Sequence, residues 1–180
     1  INLGCTHCVA SKTECGYYMT STPNMRMKTI AVVRNLAKAL VKPLSAKIRI
    51  IPDGEGNPSA EETVKFAQEL EKAGVSLITV HGRKMRADKH GDVDYKLIAS
   101  VVSGVSIPVI ANGGVRSREG AIDLIEKTGA RHVMAAQCFV SNPMILVHPN
   151  LKPPEIANEY FKYARESNES VHHAKKHMFA

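Results

Sequence analysis

Cys5 and Cys8 form a Cys-x-x-Cys directly behind a short apolar run, Ile1-Asn2-Leu3. Such a pair serves as half of a zinc site, as a redox dithiol, or as one working thiol beside an incidental neighbour. A zinc site needs four ligands; His7 and Cys15 would have to complete it, and no second Cys-x-x-Cys follows. A redox dithiol opens a helix at once, whereas Lys12 to Gly16 reads as polar and irregular, which leaves the single thiol by elimination. Downstream, period-two alternation in Ala46-Lys47-Ile48-Arg49-Ile50 places two cations on one side of a strand and three apolar side chains on the other. Parallel strands are usually covered on both faces, so a doubly cationic face implies a polar cavity such as a barrel mouth. An edge strand with a solvated face is the plainer alternative. His81-Gly82-Arg83 and Asn112-Gly113-Gly114 each follow an apolar run, and the second precedes the helix-capping residue Ser117. Backbone N–H groups at such a turn suit a phosphate, and a tight turn that needs glycine at positive φ explains the same residues equally well.

The elements that must hold these residues alternate. Apolar periodicity with cap and breaker signals predicts strands at Ile1–Leu3, Ala46–Ile50, Ser76–Val80, Pro108–Ala111 and His132–Ala135. Between them the spacing predicts helices from Pro23 to about Leu40, from a Ser59/Glu62 capping box to Ala73, from Asp94 to about Ser103, and from Ser117 to Thr128. Asn142-Pro143 starts a helical turn, and Pro153-Pro154 begins a polar helix through Glu166 that no longer alternates with strands. Five βα units make either an open doubly wound sheet or an arc of a (β/α)8 barrel, and in both the loops behind the strand C-termini carry the chemistry. Those loops hold Cys5, His81, Asn112 and Gln137.

Composition narrows the class. Of 180 residues, 44% are hydrophobic and 23% charged, the make-up of a globular chain and not of a disordered tail. No apolar run approaches the ~20 residues of a membrane span and no secretory leader is visible, so the expected location is cytoplasmic, with the nucleus as the alternative. Neither a membrane nor an obligate protein partner is expected. The four cysteines are too few and too unevenly spaced for a disulfide framework. A formal net charge of +7 favours a polyanionic partner, either nucleic acid or a phosphorylated ligand. The chain opens inside a strand-like run and stops inside a basic helical stretch, which reads as a fragment.

As an ordered set, these motifs resemble one family, the tRNA-dihydrouridine synthases. Asn2-Leu3-Gly4-Cys5, with Ala10 and Gly16 downstream, looks like the family's Asn-Leu-Gly-Cys-Pro signature, with Thr6 in place of the proline. Lys47-Ile48-Arg49, Val80-His81-Gly82-Arg83, Pro108-Val109-Ile110-Ala111-Asn112-Gly113 and Asn142-Pro143 follow in the family's order and at similar spacing. The tail Glu159-Tyr160-Phe161, with Arg165-Glu166 and a later His-Met-Phe, is similar to the eukaryotic branch that acts on uridines 16 and 17 of the tRNA D-loop. Ala87 and Lys89 stand where a glutamine and often an aromatic are usual, Cys138 where a glycine is usual, and Gln137 where an arginine is common.

The resemblance implies an α/β protein, part of an FMN-binding TIM barrel, in which residues 1–150 supply about five C-terminal βα units and residues 151–180 start a helical tRNA-binding domain. It also implies that about three further βα units precede Ile1. The implied reaction reduces the C5=C6 bond of uracil to 5,6-dihydrouridine with electrons from NADPH or NADH and needs no metal. By motif, the resemblance makes Cys5 the general acid at uracil C5 and Asn2 and Arg83 substrate contacts. It assigns Lys47, His81, Asn112, Gly113, Ala136 and Gln137 to the flavin site. An ordinary thiol is mostly protonated at neutral pH and can quench the enolate-like charge left by reduction at C6. An unpaired loop base is the cheap substrate, because the base must leave the stack. Lys152, Lys162, Arg165, Lys175 and Lys176 are expected to follow tRNA phosphates. Two other readings compete: another phosphate-binding barrel enzyme, a lyase or isomerase, and a non-enzymatic basic RNA-binding module using zinc at Cys5, Cys8 and Cys15.

Overall fold

The alternation read from the sequence becomes a parallel sheet in the computed structural model, which describes residues 1–83, 92–145, 147–148 and 150–178. Ala87, Lys89 and Phe179 lie outside the described residues. In chain order the elements are α1 (Cys8–Lys12), a 3-10 turn (Gly16–Thr20), α2 (Pro23–Ala39), β1 (Leu44–Arg49), α3 (Ala60–Lys72), β2 (Val75–His81), α4 (Tyr95–Gly104) and β3 (Val109–Asn112). There follow α5 (Arg118–Thr128), β4 (His132–Met134), α6 (Gln137–Ser141), α7 (Pro153–Glu166) and α8 (Val171–Met178). The strands lie side by side in the order β1-β2-β3-β4. A doubly wound sheet reverses its strand order at a switch point; consecutive order without reversal is the winding of a (β/α)8 barrel. β1 and β4 do not pair with each other, so the strands form an open arc of such a barrel.

Helix starts follow the capping chemistry. Thr22, Ser59 and Asp94 accept from the backbone N–H three residues on, at 3.2, 3.1 and 2.8 Å, and open α2, α3 and α4. Gly74 closes α3 at φ +103. Behind the sheet, Ala46, Ile48, Ile78, Val80, Val109 and Ala111 are buried against Phe66, Leu70, Leu97, Ile98 and Val101 of α3 and α4. Full burial of a side chain such as Ile78 or Phe66 stabilises by about 1.5–3 kcal/mol each.

The predicted first strand is present as a short parallel pairing with β1: Ile1 N donates to the Ser45 carbonyl at 2.7 Å, Lys47 N to the Ile1 carbonyl at 3.0 Å and Leu3 N to the Lys47 carbonyl at 2.8 Å, with Asn2 bridged to Lys47. Asn2 Oδ1 also accepts from Gly4 N at 3.0 Å. One expectation is corrected: a short helix, α1, opens at Cys8 directly behind the cysteine pair and ahead of the stretch from Lys12 to Gly16, and His7 Nδ1 caps it by accepting from Val9 N at 3.2 Å.

Two compact units divide the chain. One comprises Ile1–Gly114 and Ile122–Met134 and contains the sheet. The other comprises Val115–Ala121 and Ala135–Ala180 and is helical, with α7 opened by Pro153 and Pro154 and by Glu155, which accepts from Lys152 N at 2.7 Å. No described helix is long and apolar enough to cross a membrane.

Candidate functional site

Register decides which side chains meet. Across the arc, Lys47 lies opposite Thr79, which lies opposite Ile110; one pleat further, Arg49 lies opposite His81, His81 opposite Asn112, and Asn112 opposite Met134. In-register partners on parallel strands project to the same face. Asn2 extends the first row through its bridge to Lys47. The face turned away from α3 and α4 is therefore polar, which is the arrangement anticipated from the alternation in β1.

Its electrostatics are set by cations crowded out of water. Burial lowers the Lys47 ammonium below its usual range, and the Arg49 guanidinium lowers it further. Burial also lowers Arg49, reinforced by Arg83 and opposed by Cys5 and Tyr17. The His81 imidazole is pushed down to about 3, first by burial and then by Arg49, Lys47 and Arg83, so the ring is neutral at physiological pH. Lys47 makes no ion pair among the described residues. A desolvated, like-charged group of this kind suits an electron-rich or anionic ligand, which would offset the repulsion. The donor set thus fits a flavin, with Lys47 and the neutral His81 able to donate to ring carbonyls.

Cys5 reaches this face from the Asn2 end. The carbonyl of Gly4 accepts from Arg49 Nε at 2.8 Å, which ties the residue before Cys5 to β1. At the far end, Asn112 is buried and its Nδ2 donates to the carbonyl of Met134 at 2.8 Å, joining β3 to β4. Gly113 and Gly114 follow at φ +128 and +72. A Cβ on Gly113 would stand 3.1 Å from His81 Cδ2 and 3.0 Å from Val93 Cγ2, so glycine is required both by conformation and by space. Arg83 N donates to the carbonyl of His81 at 2.8 Å, a tight turn immediately behind β2.

Asn2, Cys5, Lys47, His81, Arg83, Asn112 and Gly113 therefore belong to one compact unit, whereas Ala136 and Gln137 belong to the other, at the start of α6. Alternation in the sequence places Arg49 on this face, and only its contact with Gly4 has no sequence signal. One residue of the site was not singled out by sequence reasoning. Tyr17 is buried and its phenol is raised by that burial; no periodicity in the sequence marks it. No group of three or more His, Cys, Asp or Glu among the described residues is placed to hold a metal ion.

The family model and the curated relatives agree with one another. The family described as dihydrouridine synthase (Dus) matches residues 1–179. The chain is 30% identical over 181 residues to a tRNA-dihydrouridine(16/17) synthase (NAD(P)(+))-like protein of Rattus norvegicus, covering 99% of this chain and 39% of that relative. It is 33% identical over 169 residues to an uncharacterised tRNA-dihydrouridine synthase-like protein of Caenorhabditis elegans, covering 92% of this chain and 56% of that one. A human tRNA-dihydrouridine(20a/20b) synthase (NAD(P)+)-like protein is 36% identical over 143 residues, covering 79% and 43%. The chain thus spans roughly two fifths to a little over half the length of these relatives. Among solved structures, dihydrodipicolinate synthase from Agrobacterium tumefaciens superposes with a TM-score of 0.53 at 18% identity over 84% of this chain and 48% of that one. Phosphonopyruvate hydrolase in complex with oxalate and Mg superposes with a TM-score of 0.52 at 17% identity over 89% and 73%. These two likenesses concern the fold alone.

Proposed function

This chain belongs to the dihydrouridine synthase family, and from that premise we propose that it serves the flavin-dependent reduction of uridine in tRNA to 5,6-dihydrouridine with NADPH or NADH as electron donor. The observation that carries the reading is the polar strand face on which Lys47, Arg49, His81 and Asn112 stand in register beside the loop of Cys5. A bound FMN, once reduced, would supply the two electrons and the hydrogen that enter at uracil C6.

The chain's own residues do the rest. Lys47 and the neutral His81 would hold the electron-rich side of a flavin ring, and the turn at Asn112 and Gly113 would hold its phosphate. Asn2 and Arg83 orient the uracil edge. Cys5 gives its proton to uracil C5: the S–H bond breaks, the C5–H bond forms, and the electron pair stays on sulfur. Residues 1–150 are the barrel portion in this reading and residues 151–180 begin the tRNA-binding portion, where Lys152 precedes α7, α7 carries Lys162 and Arg165, and α8 carries Lys175 and Lys176. The rat relative's name supports D-loop positions 16 and 17. We propose a cytoplasmic location, with the nucleus as the alternative.

The test is direct. The purified protein should carry a flavin spectrum and convert uridine to dihydrouridine in unmodified tRNA when given NADPH or NADH, scored by mass spectrometry of the digested tRNA. A colourless protein that binds a phosphorylated metabolite would favour a lyase or isomerase barrel, and zinc whose removal unfolds the chain would favour an RNA-binding module.

A further inference from the structure

Cys5 is held from both sides by residues outside its own loop. Before it, the Gly4 carbonyl is fixed by Arg49 Nε. After it, the Cys5 carbonyl accepts from Tyr17 N at 2.9 Å. Gly16 lies so close against the cysteine that a Cβ there would stand 2.8 Å from both Cys5 Cβ and the Cys5 carbonyl oxygen, and 3.2 Å from Cys5 N. Its φ of +60 is one that other residues rarely adopt.

The 3-10 turn that begins at Gly16 is itself braced. Thr29 Oγ1 donates to the Met19 carbonyl at 2.7 Å, and Thr20 Oγ1 to the Tyr17 carbonyl at 2.7 Å. Arg26 Nη1 donates to the Thr20 carbonyl at 3.2 Å while its Nη2 pairs with Glu62 Oε2 at 2.8 Å. The Arg26 side chain is 11% exposed and that of Glu62 30%, so this pair is partly shielded from solvent competition. An unbroken line of contacts therefore runs from α3 through α2 to the turn and onto the backbone of Cys5.

We propose that Gly16 and Tyr17 form a seat that sets the position of the Cys5 thiol, with Arg26 as the brace of that seat; all three are positioning residues. The proposal rests on the reading of Cys5 as the proton donor. It follows from geometry: proton transfer to carbon requires the donor at hydrogen-bond distance in the right direction, and an added methyl at Gly16 must push the cysteine or the turn aside.

The experiment compares the flavin-loaded wild type with Gly16→Ala, Arg26→Met, Arg26→Lys and Cys5→Ala. For Gly16→Ala the expected result is unchanged flavin reduction by NADPH, KM for tRNA within about twofold, and kcat for dihydrouridine formation lower by about a hundredfold. Arg26→Met is expected to lose about tenfold in kcat, with partial recovery in Arg26→Lys. Should Gly16→Ala fail to fold, hydrogen exchange of the wild type decides: the Tyr17 amide must be protected, and exchange at the free-peptide rate overturns the seat. Wild-type kcat in Gly16→Ala with an inactive Cys5→Ala overturns the seat alone. Wild-type kcat in Cys5→Ala overturns the reading on which it rests.

Discussion

Arg49 and His81 stand directly opposite each other across the β1–β2 ladder, a guanidinium against an imidazole, with Lys47 one pleat away on the same face. Burial, reinforced by this pairing, keeps the imidazole neutral and gives it a measurable linkage to pH. In the unfolded chain the ring takes up a proton near 6.5, and in the native state only near 3. Between those values the unfolded state holds more protons, so stability falls as pH drops through the interval. Because the ring is partly solvated, the loss is on the order of 1–3 kcal/mol, below the full linkage value. Urea melts at pH 7.5 and 4.5 check this: the wild type should lose more stability than His81→Gln, and equal losses would contradict it.

Lys47 sets stability against ligand binding. Its ammonium is desolvated and repelled by Arg49, so Lys47→Met should stabilise the ligand-free protein by about 1 kcal/mol. The same change removes a charge-assisted donor to the flavin and should weaken FMN binding about tenfold or more. Melting temperatures and fluorescence titration with FMN give the two readings. Unchanged affinity would remove Lys47 from the flavin site.

Asn112 has a structural duty beside any contact with phosphate. Loss of its bond to the Met134 carbonyl in Asn112→Ala should cost about 1–2 kcal/mol. Asn112→Asp should cost more, because a carboxylate would then face that carbonyl with no proton to share. Thermal denaturation of the two variants checks the order; an Asn112→Asp protein at least as stable as Asn112→Ala would refute it.

Two glycines on neighbouring segments should behave oppositely. Gly113→Ala combines positive φ with close contacts to His81 and Val93 and should destabilise by about 1–3 kcal/mol. Gly120 lies inside α5, where an added Cβ meets only Ser117 Oγ at 3.6 Å, so Gly120→Ala should be neutral or stabilising by up to about 1 kcal/mol. Chemical denaturation of both variants tests the contrast.

Local chemistry was legible and long-range contact was not. The Ser59 and Asp94 caps and the Gly74 stop are side-chain and φ requirements confined to a few residues, and each element boundary they imply lies within a residue or two of the structure. Alternation in β1 is equally local and placed Lys47 and Arg49 on one face. The choice between a doubly wound sheet and a barrel depends on strand order, which periodicity does not encode. The bond from Tyr17 N to the Cys5 carbonyl, the bond from Arg49 to the Gly4 carbonyl and the Arg26–Glu62 pair join residues 12, 45 and 36 positions apart, and none has a sequence pattern of its own.

The central claim is that the Cys5 thiol delivers the proton to uracil C5. Its most direct test reduces the bound flavin in advance, without oxygen, and mixes wild type or Cys5→Ala with unmodified tRNA, following flavin reoxidation and dihydrouridine by mass. The account predicts that both proteins accept electrons from NADPH equally and that Cys5→Ala forms dihydrouridine about 100- to 10,000-fold more slowly. Dihydrouridine formed by Cys5→Ala at the wild-type rate would contradict it.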